Sequence, residues 1–173
     1  KQGFVFAFDR ETGEPIWTIE EREVPQTPVL PGDRLSPTQP FPTKPPPFEA
    51  QGLTVDDLID FTPELRAEAE EIISDYTYGP LFTPITLSEV GGNRGTILRP
   101  SAGGGANWMG AAVDPETGML YVPSSDSISV PIVRETDPDE STLRFRRFSY
   151  GGTRGPQGLP LLKPPYATIT AID

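Results

Sequence analysis

A short turn motif occurs twice in the chain, and it constrains the fold more than any other feature. Residues 9–13 read Asp-Arg-Glu-Thr-Gly and residues 114–118 read Asp-Pro-Glu-Thr-Gly, and each copy lies between apolar, strand-like runs. Glycine accepts the positive φ that a tight turn needs, so each copy predicts a β-hairpin. We expect the first hairpin within residues 1–21 and the second within residues 108–122.

The beginning of a third copy lies at residues 169–173, Ile-Thr-Ala-Ile-Asp, which match residues 5–9 in pattern. Hairpins of one design recur in repeat folds built from antiparallel blades, and the β-propeller fits this pattern best. The sequence therefore predicts a mainly β fold. We expect the chain to be a piece of a larger repeat protein.

Proline and glycine are unusually frequent, with 22 Pro and 17 Gly in 173 residues, which predicts long loops between few strands. Prolines are densest in residues 22–50, where they remove ladder donors and favour extended backbone. Such a segment can be a flexible linker, a polyproline ligand for a partner, or an ordered loop that lies over a surface. Phe41 and Phe48 are apolar anchors that favour the ordered loop.

One convincing helical stretch lies within residues 53–78. Thr62 and Pro63 form a strong start signal, a hydroxyl N-cap followed by proline at the first helical position. The apolar residues that follow fall on one face, whereas acidic side chains occupy the other. That apolar face comprises Leu65, Ala69, Ile72 and Ile73. We interpret the segment as an amphipathic surface helix that carries no chemistry.

Charge and residue types exclude several classes of function. The formal net charge is -11, so the surface repels a phosphate backbone and we expect no nucleic-acid partner. The chain has no His and no Cys, which excludes a Ser-His-Asp triad and thiolate metal sites. No pair of carboxylates has a positioned partner, so the sequence predicts neither catalytic nor metal-binding residues here.

Residues 103–108, Gly-Gly-Gly-Ala-Asn-Trp, form the best candidate for a ligand-facing loop. The glycines allow close approach of the backbone, Asn107 offers an amide, and Trp108 offers an aromatic plane. The alternative is a strand at the start of a blade, with Trp108 in the core. A phosphate cradle is disfavoured because the run lacks a Gly-Lys-Ser/Thr ending.

Two sets of cations have less specific interpretations. By residue type alone, Lys1 is a solvated charge beside a strand. Arg144, Arg146 and Arg147 could grip an anionic group, but with the neighbouring phenylalanines they fit a strand edge equally well.

Several longer strings carry a family resemblance. Residues 1–17, Lys-Gln-Gly-Phe-Val-Phe-Ala-Phe-Asp-Arg-Glu-Thr-Gly-Glu-Pro-Ile-Trp, are followed in order by characteristic strings at residues 20–26, 36–48, 81–84 and 104–115. Together they resemble the pyrroloquinoline quinone (PQQ)-dependent dehydrogenases, in particular the membrane-associated quinoprotein glucose dehydrogenase type. The resemblance covers most of the chain and is weakest in its last third.

This resemblance implies an eight-bladed β-propeller, of which the chain would form a fragment of about one to two blades with long Pro/Gly-rich insertions and one short helix. The implied parts are a blade hairpin, a Pro-rich loop plus helix, the next blade with the Gly-Gly-Ala-Asn-Trp segment, an irregular insertion, and the start of a further blade strand. Their bounds are 1–21, 22–78, 79–123, 124–165 and 166–173.

The resemblance also implies the chemistry. Family members oxidise an alcohol or sugar hydroxyl. A hydride or its equivalent passes to the C5 carbonyl of PQQ, and Ca2+ or Mg2+ polarises the cofactor. The family's lysine that contacts the ortho-quinone matches Lys1, and its Asn-Trp pair matches Asn107 and Trp108, so these three are the expected cofactor contacts. The catalytic aspartate and the metal-binding carboxylates lie upstream in the family, and this chain has no counterpart of them.

The implied partners are a small alcohol or sugar, a quinone or cytochrome electron acceptor, and the remaining propeller blades. The implied location is the periplasm, with any membrane anchor outside this chain. The alternative function is a non-catalytic propeller scaffold that keeps the blade motifs but binds no quinone. A free-standing polyproline interaction domain would leave the flanking strands unexplained.

Overall fold

The computed structural model describes the backbone of residues 1–173 and the side-chain environments of all of these except residue 151. The elements are short and separated by long loops. In chain order they are β1 (Ile19–Glu23), β2 (Thr38–Pro42), α1 (Pro63–Ser74), β3 (Ala112–Val113), β4 (Leu120–Ser125), β5 (Val130–Glu135), β6 (Phe145–Gly151) and β7 (Ala167–Ile172).

The strands form three separate antiparallel sheets, β1–β2, β3–β4–β7 and β5–β6. None of these sheets closes into a barrel or a ring within the described residues. The prediction of a mainly β fold with long loops and one helix is confirmed.

Both copies of the turn motif form the predicted turn. Asp9 accepts a hydrogen bond from the Thr12 N–H at 2.8 Å, and the Gly13 N–H donates to the Asp9 carbonyl at 2.9 Å. In the second copy the Thr117 hydroxyl donates to the Asp114 carboxylate at 2.7 Å. The closing glycines have φ of +74° and +77°, which explains why glycine stands there.

The first predicted hairpin is shorter than expected. Residues 4–8 form no strand, and the only pairing across the turn is the isolated bridge between Phe8 and Pro15. Pro15 has no N–H to continue a ladder. The second hairpin is formed as predicted but is also short, since β3 has only two residues.

The Pro-rich segment contains a strand, β2, that its proline content did not predict. β2 pairs with β1 along its whole length, although it contains Pro40 and Pro42. Just outside β2, the Thr43 N–H donates to the Thr18 carbonyl at 2.9 Å, and the Pro37 carbonyl accepts from Val24 at 3.1 Å. The backbone N–H and C=O groups of odd-numbered residues therefore face β1. Pro40 and Pro42 lie at even positions, where the sheet needs no N–H donor.

Phe41 anchors this segment as predicted for an ordered loop. Its ring packs edge-on against Phe4, with centroids 5.3 Å apart, and against Phe82, with centroids 5.8 Å apart. The ordered-loop interpretation is confirmed, because strand pairing and aromatic contacts both hold the segment.

The last third of the chain departs from the prediction in two ways. Residues 124–165, expected to be irregular, contain the β5–β6 hairpin, whose aromatic and β-branched residues pair across a β-bulge at Ile132 and Val133. The strand expected to start a further blade, β7, instead pairs with β4 and completes the sheet of the second turn motif. The other edge of β4, away from β3, was open to receive it.

Helix α1 begins as predicted. The Thr62 hydroxyl accepts a hydrogen bond from the Leu65 N–H at 3.2 Å, and Pro63 is the first helical residue. Its buried face packs into the main hydrophobic core. The core residues outside the helix are Leu53, Leu58, Ile59, Tyr76, Ile97, Val130, Leu161 and Leu162. Among the described residues, no helix combines the length and the apolar character needed to cross a bilayer.

A buried ion triad joins distant segments next to this core. The Arg99 side chain is only 8% exposed, and its guanidinium contacts the Asp57 carboxylate at 2.7 Å and the Asp126 carboxylate through Nε at 2.8 Å. Burial acts to raise the pKa of Asp57, but the hydrogen bonds from Arg99 and Thr54 lower it below its usual range. The charged form of Asp57 is therefore part of the folded structure.

The first residues of the chain form a tight junction with residues 48–51 and with the glycine loop. The Phe48 N–H donates to the Gly3 carbonyl at 2.9 Å, and a Cβ on Gly104 would lie 2.9 Å from the Lys1 Cα. Glu49 lies within this junction, against Gly3 and Gly105. Only glycine fits at these contacts.

Both carboxylate oxygens of Glu49 are buried, and neither has a hydrogen-bond partner in the described part of the chain. Burial raises the pKa of Glu49. The nearby N–H groups of Gly105 and Ala106 favour the charged form but do not offset the burial. The junction therefore favours a neutral group at this position.

We expect Arg99→Met to destabilise the protein by about 3–5 kcal/mol, because it leaves two partly buried carboxylates without a counter-charge. Urea denaturation measures the change. The control is Arg22→Met, which removes an exposed ion pair with Glu20 and should cost less than about 1 kcal/mol. Equal effects of the two substitutions would contradict a structural role of the triad.

We expect Glu49→Gln to stabilise the protein at pH 7 and to lose this advantage as the pH falls. A carboxyl group with a raised folded-state pKa binds more protons folded than unfolded, so its stability contribution is full below the unfolded pKa of about 4.3 and is lost as the pH rises through the folded pKa. Thermal melts between pH 4 and pH 8 test this, with the exposed Glu21→Gln as control. A gain that does not depend on pH would refute it.

Candidate functional site

Lys1 lies at the rim of a cavity beside the junction. Its ammonium donates to the Ala102 carbonyl at 3.3 Å, which uses one of its three protons. The side chain is otherwise exposed, so the remaining protons are available to a ligand. The position is set by the close contact between Lys1 and Gly104.

The cavity at Lys1 has a volume of about 210 Å³. Arg99, Ser101 and Ala102 form one side of it, and residues 79–83, including Phe82, form the other. The guanidinium of Arg99 is already bound by its two aspartates, so Lys1 is the cation in this wall with donors to spare. The arrangement offers one positive charge with free donors beside a largely apolar cavity, which suits a ligand with an anionic or carbonyl oxygen.

The loop that follows is held by hydroxyl contacts at its base. The Ala102 N–H donates to the Ser129 hydroxyl at 2.9 Å, and the Ser127 and Ser101 hydroxyls lie 3.1 Å apart. Gly104 adopts φ +75° and its N–H donates to the Ser101 carbonyl at 2.7 Å. These contacts fix where the chain leaves the cavity wall toward Asn107.

Asn107 and Trp108 lie at the exposed end of this loop. Trp108 is 96% exposed, so the interpretation of this residue as part of a core is wrong for the residues described. The structure places Lys1 against the base of the loop, but it leaves Asn107 and Trp108 projecting from the loop into solvent. The cofactor-binding role of all three residues stays a prediction.

Arg146 and Arg147 of β6, and Arg144 immediately before it, lie against aromatic rings. Arg144 lies 5.0 Å from the Phe145 ring centroid, Arg146 lies 5.5 Å from that of Phe148, and Arg147 lies 4.1 Å from that of Tyr150. This favours the strand-edge interpretation of these residues.

Sequence reasoning missed the residues that build the walls of the site. Arg99 is separated from Asp126 by 27 positions, and no local pattern marks their contact. Phe82 adopts φ +67°, which cannot be read from its residue type. Glu49 lies in a Pro-rich stretch where a carboxylate is usually solvated. Near Phe82, the sequence offered only the family-like string Leu81-Phe82-Thr83-Pro84.

Within the described residues, no group of three or more His, Cys, Asp or Glu side chains is arranged to hold a metal ion.

Comparisons with known proteins identify the family. The family model described as glucose/ethanol/alcohol dehydrogenase, beta-propeller domain, of the PQQ type, matches residues 1–173. The glycerol dehydrogenase large subunit of Gluconobacter thailandicus is 29% identical over 198 residues, which cover 100% of this chain and 26% of that protein.

Two further relatives carry other substrate names. The quinoprotein glucose dehydrogenase of Escherichia coli is 27% identical, over 100% of this chain and 23% of that protein. The quinate/shikimate dehydrogenase (quinone) of Acinetobacter baylyi is 24% identical, over 100% of this chain and 23% of that protein. No solved structure matches the chain.

The chain spans about a quarter of the length of these relatives. The family model matches the chain along the entire length of the chain. The mainly β architecture and the two turn motifs agree with this classification. The chain belongs to the β-propeller domain family of the PQQ-dependent glucose/ethanol/alcohol dehydrogenases.

Proposed function

We propose that the protein containing this chain is a quinoprotein dehydrogenase that oxidises the hydroxyl group of a small alcohol or sugar, and that this chain supplies part of the cofactor face. The observation that carries the proposal is Lys1, an ammonium with spare donors at the rim of a cavity of about 210 Å³. The printed names of the relatives, which include glycerol and glucose dehydrogenases, support a hydroxyl substrate.

The residues present fit a flat, anionic cofactor. PQQ carries carboxylates and an ortho-quinone, and it accepts a hydride equivalent from the substrate carbon when bound. Lys1 offers a cation for its oxygens, the Asn107 amide offers donors, and the exposed indole of Trp108 offers a stacking plane. The glycine loop lets the backbone come close to such a ligand, because Gly104 and Gly105 carry no Cβ.

Lys1 has a specific electrostatic task in this proposal. Its positive charge would stabilise the negative charge that develops on the quinone oxygens during oxidation of the substrate, and a cation held in place before the reaction needs little reorganisation. The hydrogen bond to Ala102 orients the ammonium, and the contact with Gly104 sets the backbone from which it extends.

The other components of the reaction belong to the rest of the protein in this proposal. The base that accepts the hydroxyl proton and the carboxylates that hold Ca2+ or Mg2+ lie outside this chain. The exposed face of the β3–β4–β7 sheet, with Ile169 at 74% exposure and Tyr121 at 40%, provides an apolar surface for the remaining blades. We further propose a periplasmic location and a quinone or cytochrome as the electron acceptor.

The direct test uses the full-length protein. Apo-protein is titrated with PQQ and Ca2+ or Mg2+ while dye-linked oxidation of ethanol, glycerol and glucose is followed. Activity that requires both quinone and metal supports the proposal. Failure to bind PQQ under all conditions would overturn it and would leave the scaffold function as the explanation of the blades.

For the holoenzyme we expect Lys1→Ala to lower kcat by about 30-fold or more, equivalent to about 2 kcal/mol in the barrier, with little effect on the melting temperature. The control is Lys44→Ala, which removes an exposed lysine of the Pro-rich segment and should leave kcat unchanged. Steady-state kinetics with saturating PQQ measure both variants. A Lys1→Ala enzyme with normal kcat would remove Lys1 from the site.

We expect Trp108→Leu to weaken PQQ binding by about tenfold, because the loss of an aromatic contact costs about 0.5–1.5 kcal/mol beyond area burial. Calorimetric titration of the apo-protein with PQQ measures the affinity. Tyr150→Leu, which alters another exposed aromatic residue, is the matched control. Equal affinities of the Trp108 variant and the wild type would contradict a stacking role.

A further inference from the structure

Phe82 adopts a backbone conformation that phenylalanine avoids. Its φ is +67°, in the left-handed region, which is unfavourable for a residue with a bulky side chain. Only one other non-glycine residue among those described, Gln157, has a positive φ. Strain of this kind persists where the surrounding structure enforces it, and it is concentrated at functional sites.

Contacts on both sides hold Phe82 in this conformation. The next residue, Thr83, donates to the Pro80 carbonyl through its N–H at 3.1 Å and through its hydroxyl at 2.7 Å, which closes a tight turn around Phe82. The ring of Phe82 packs edge-on against Phe41, which belongs to β2. The strained backbone therefore directs the ring toward the Pro-rich segment.

Phe82 lies between two cavities. One is the cavity at Lys1, of about 210 Å³, and the other is a cavity of about 320 Å³ beneath the Pro-rich segment. Phe82, Thr83 and Leu98 line both of them. Of these three shared residues, Phe82 has the largest side chain.

The second cavity has a lining suited to hydrocarbon. Its other walls include Val24, Pro25, Leu35 and Ile85, with Gln39 and Asp33 as polar groups. An apolar cavity separated from the Lys1 cavity by one aromatic residue would accept the distal part of a longer substrate if that residue were smaller.

We propose that Phe82 is a specificity-determining residue, which closes the Lys1 cavity against the apolar cavity beneath the Pro-rich segment and thereby restricts the enzyme to short alcohols and sugars. The inference rests on the proposed dehydrogenase function. It adds a size limit to the substrate class and assigns that limit to one side chain.

The experiment compares holoenzymes, loaded with PQQ and metal, on two substrates. The ratio of kcat/KM for 1-octanol to kcat/KM for ethanol is measured for the wild type and for Phe82→Ala. We expect the ratio to rise by about tenfold or more in the variant, because the additional methylenes of octanol would be buried in the apolar cavity.

Two further variants make the test specific. Phe82→Gly opens the same partition and also relieves the backbone strain, because glycine adopts positive φ freely, so it should show the same change of ratio with a higher melting temperature than Phe82→Ala. Phe61→Ala removes a phenylalanine that is 56% exposed and lines neither cavity, and it should leave the ratio unchanged. An unchanged ratio in both Phe82 variants would overturn the proposal.

A binding measurement separates this inference from the proposed function. Calorimetric titration of the apo-protein with 1-octanol should show about tenfold tighter binding to Phe82→Ala than to the wild type. If the wild type oxidises no alcohol but this difference is present, the dehydrogenase function fails while the partition stands. If the wild type is active but neither the kinetic ratio nor the octanol affinity changes, the partition fails alone.

Discussion

The ion triad at Arg99 is the interaction on which the rest of the structure depends. One buried guanidinium binds Asp57, which precedes α1, and Asp126, which follows β4, so it joins the helical segment to the second turn-motif sheet. The backbone carbonyl of Arg99 also accepts from the Gly52 N–H at 2.8 Å. The same residue forms one wall of the Lys1 cavity, so the geometry of the candidate site follows from the ion triad.

The site is assembled where chain segments meet rather than on any one element. Lys1 comes from the start of the chain, Phe82 from the turn after α1, and Gly104 from the loop before β3. Each is held by a close backbone contact or by its own left-handed backbone conformation. These constraints leave its side chain less freedom to move than a solvated loop would. Such an arrangement suits electrostatic catalysis, because a cation fixed before the reaction stabilises developing charge without further movement.

The sequence predicted the features that depend on local chemistry and missed those that depend on distant contacts. The Asp…Thr-Gly turns and the start of α1 are specified within five residues, and the structure confirms them. The β1–β2 pairing was missed because proline density concealed a strand whose prolines occupy every second position. At the site, Lys1 and the Asn107–Trp108 pair came from family resemblance, whereas Arg99, Glu49 and Phe82 required knowledge of which segments lie together.

The alternation of prolines in β2 has a consequence for how this protein behaves in concentrated solution. Since the N–H and C=O groups of the odd positions face β1, Pro40 and Pro42 leave Thr38 as the only residue of β2 with an N–H on the outer side of the strand. A free strand edge is a template on which another molecule can extend the sheet, and the two prolines remove donors that such an extension needs. The Pro-rich segment thus disfavours intermolecular β-pairing at the β2 edge of this sheet, while Phe41 on the same strand keeps its contact with Phe82.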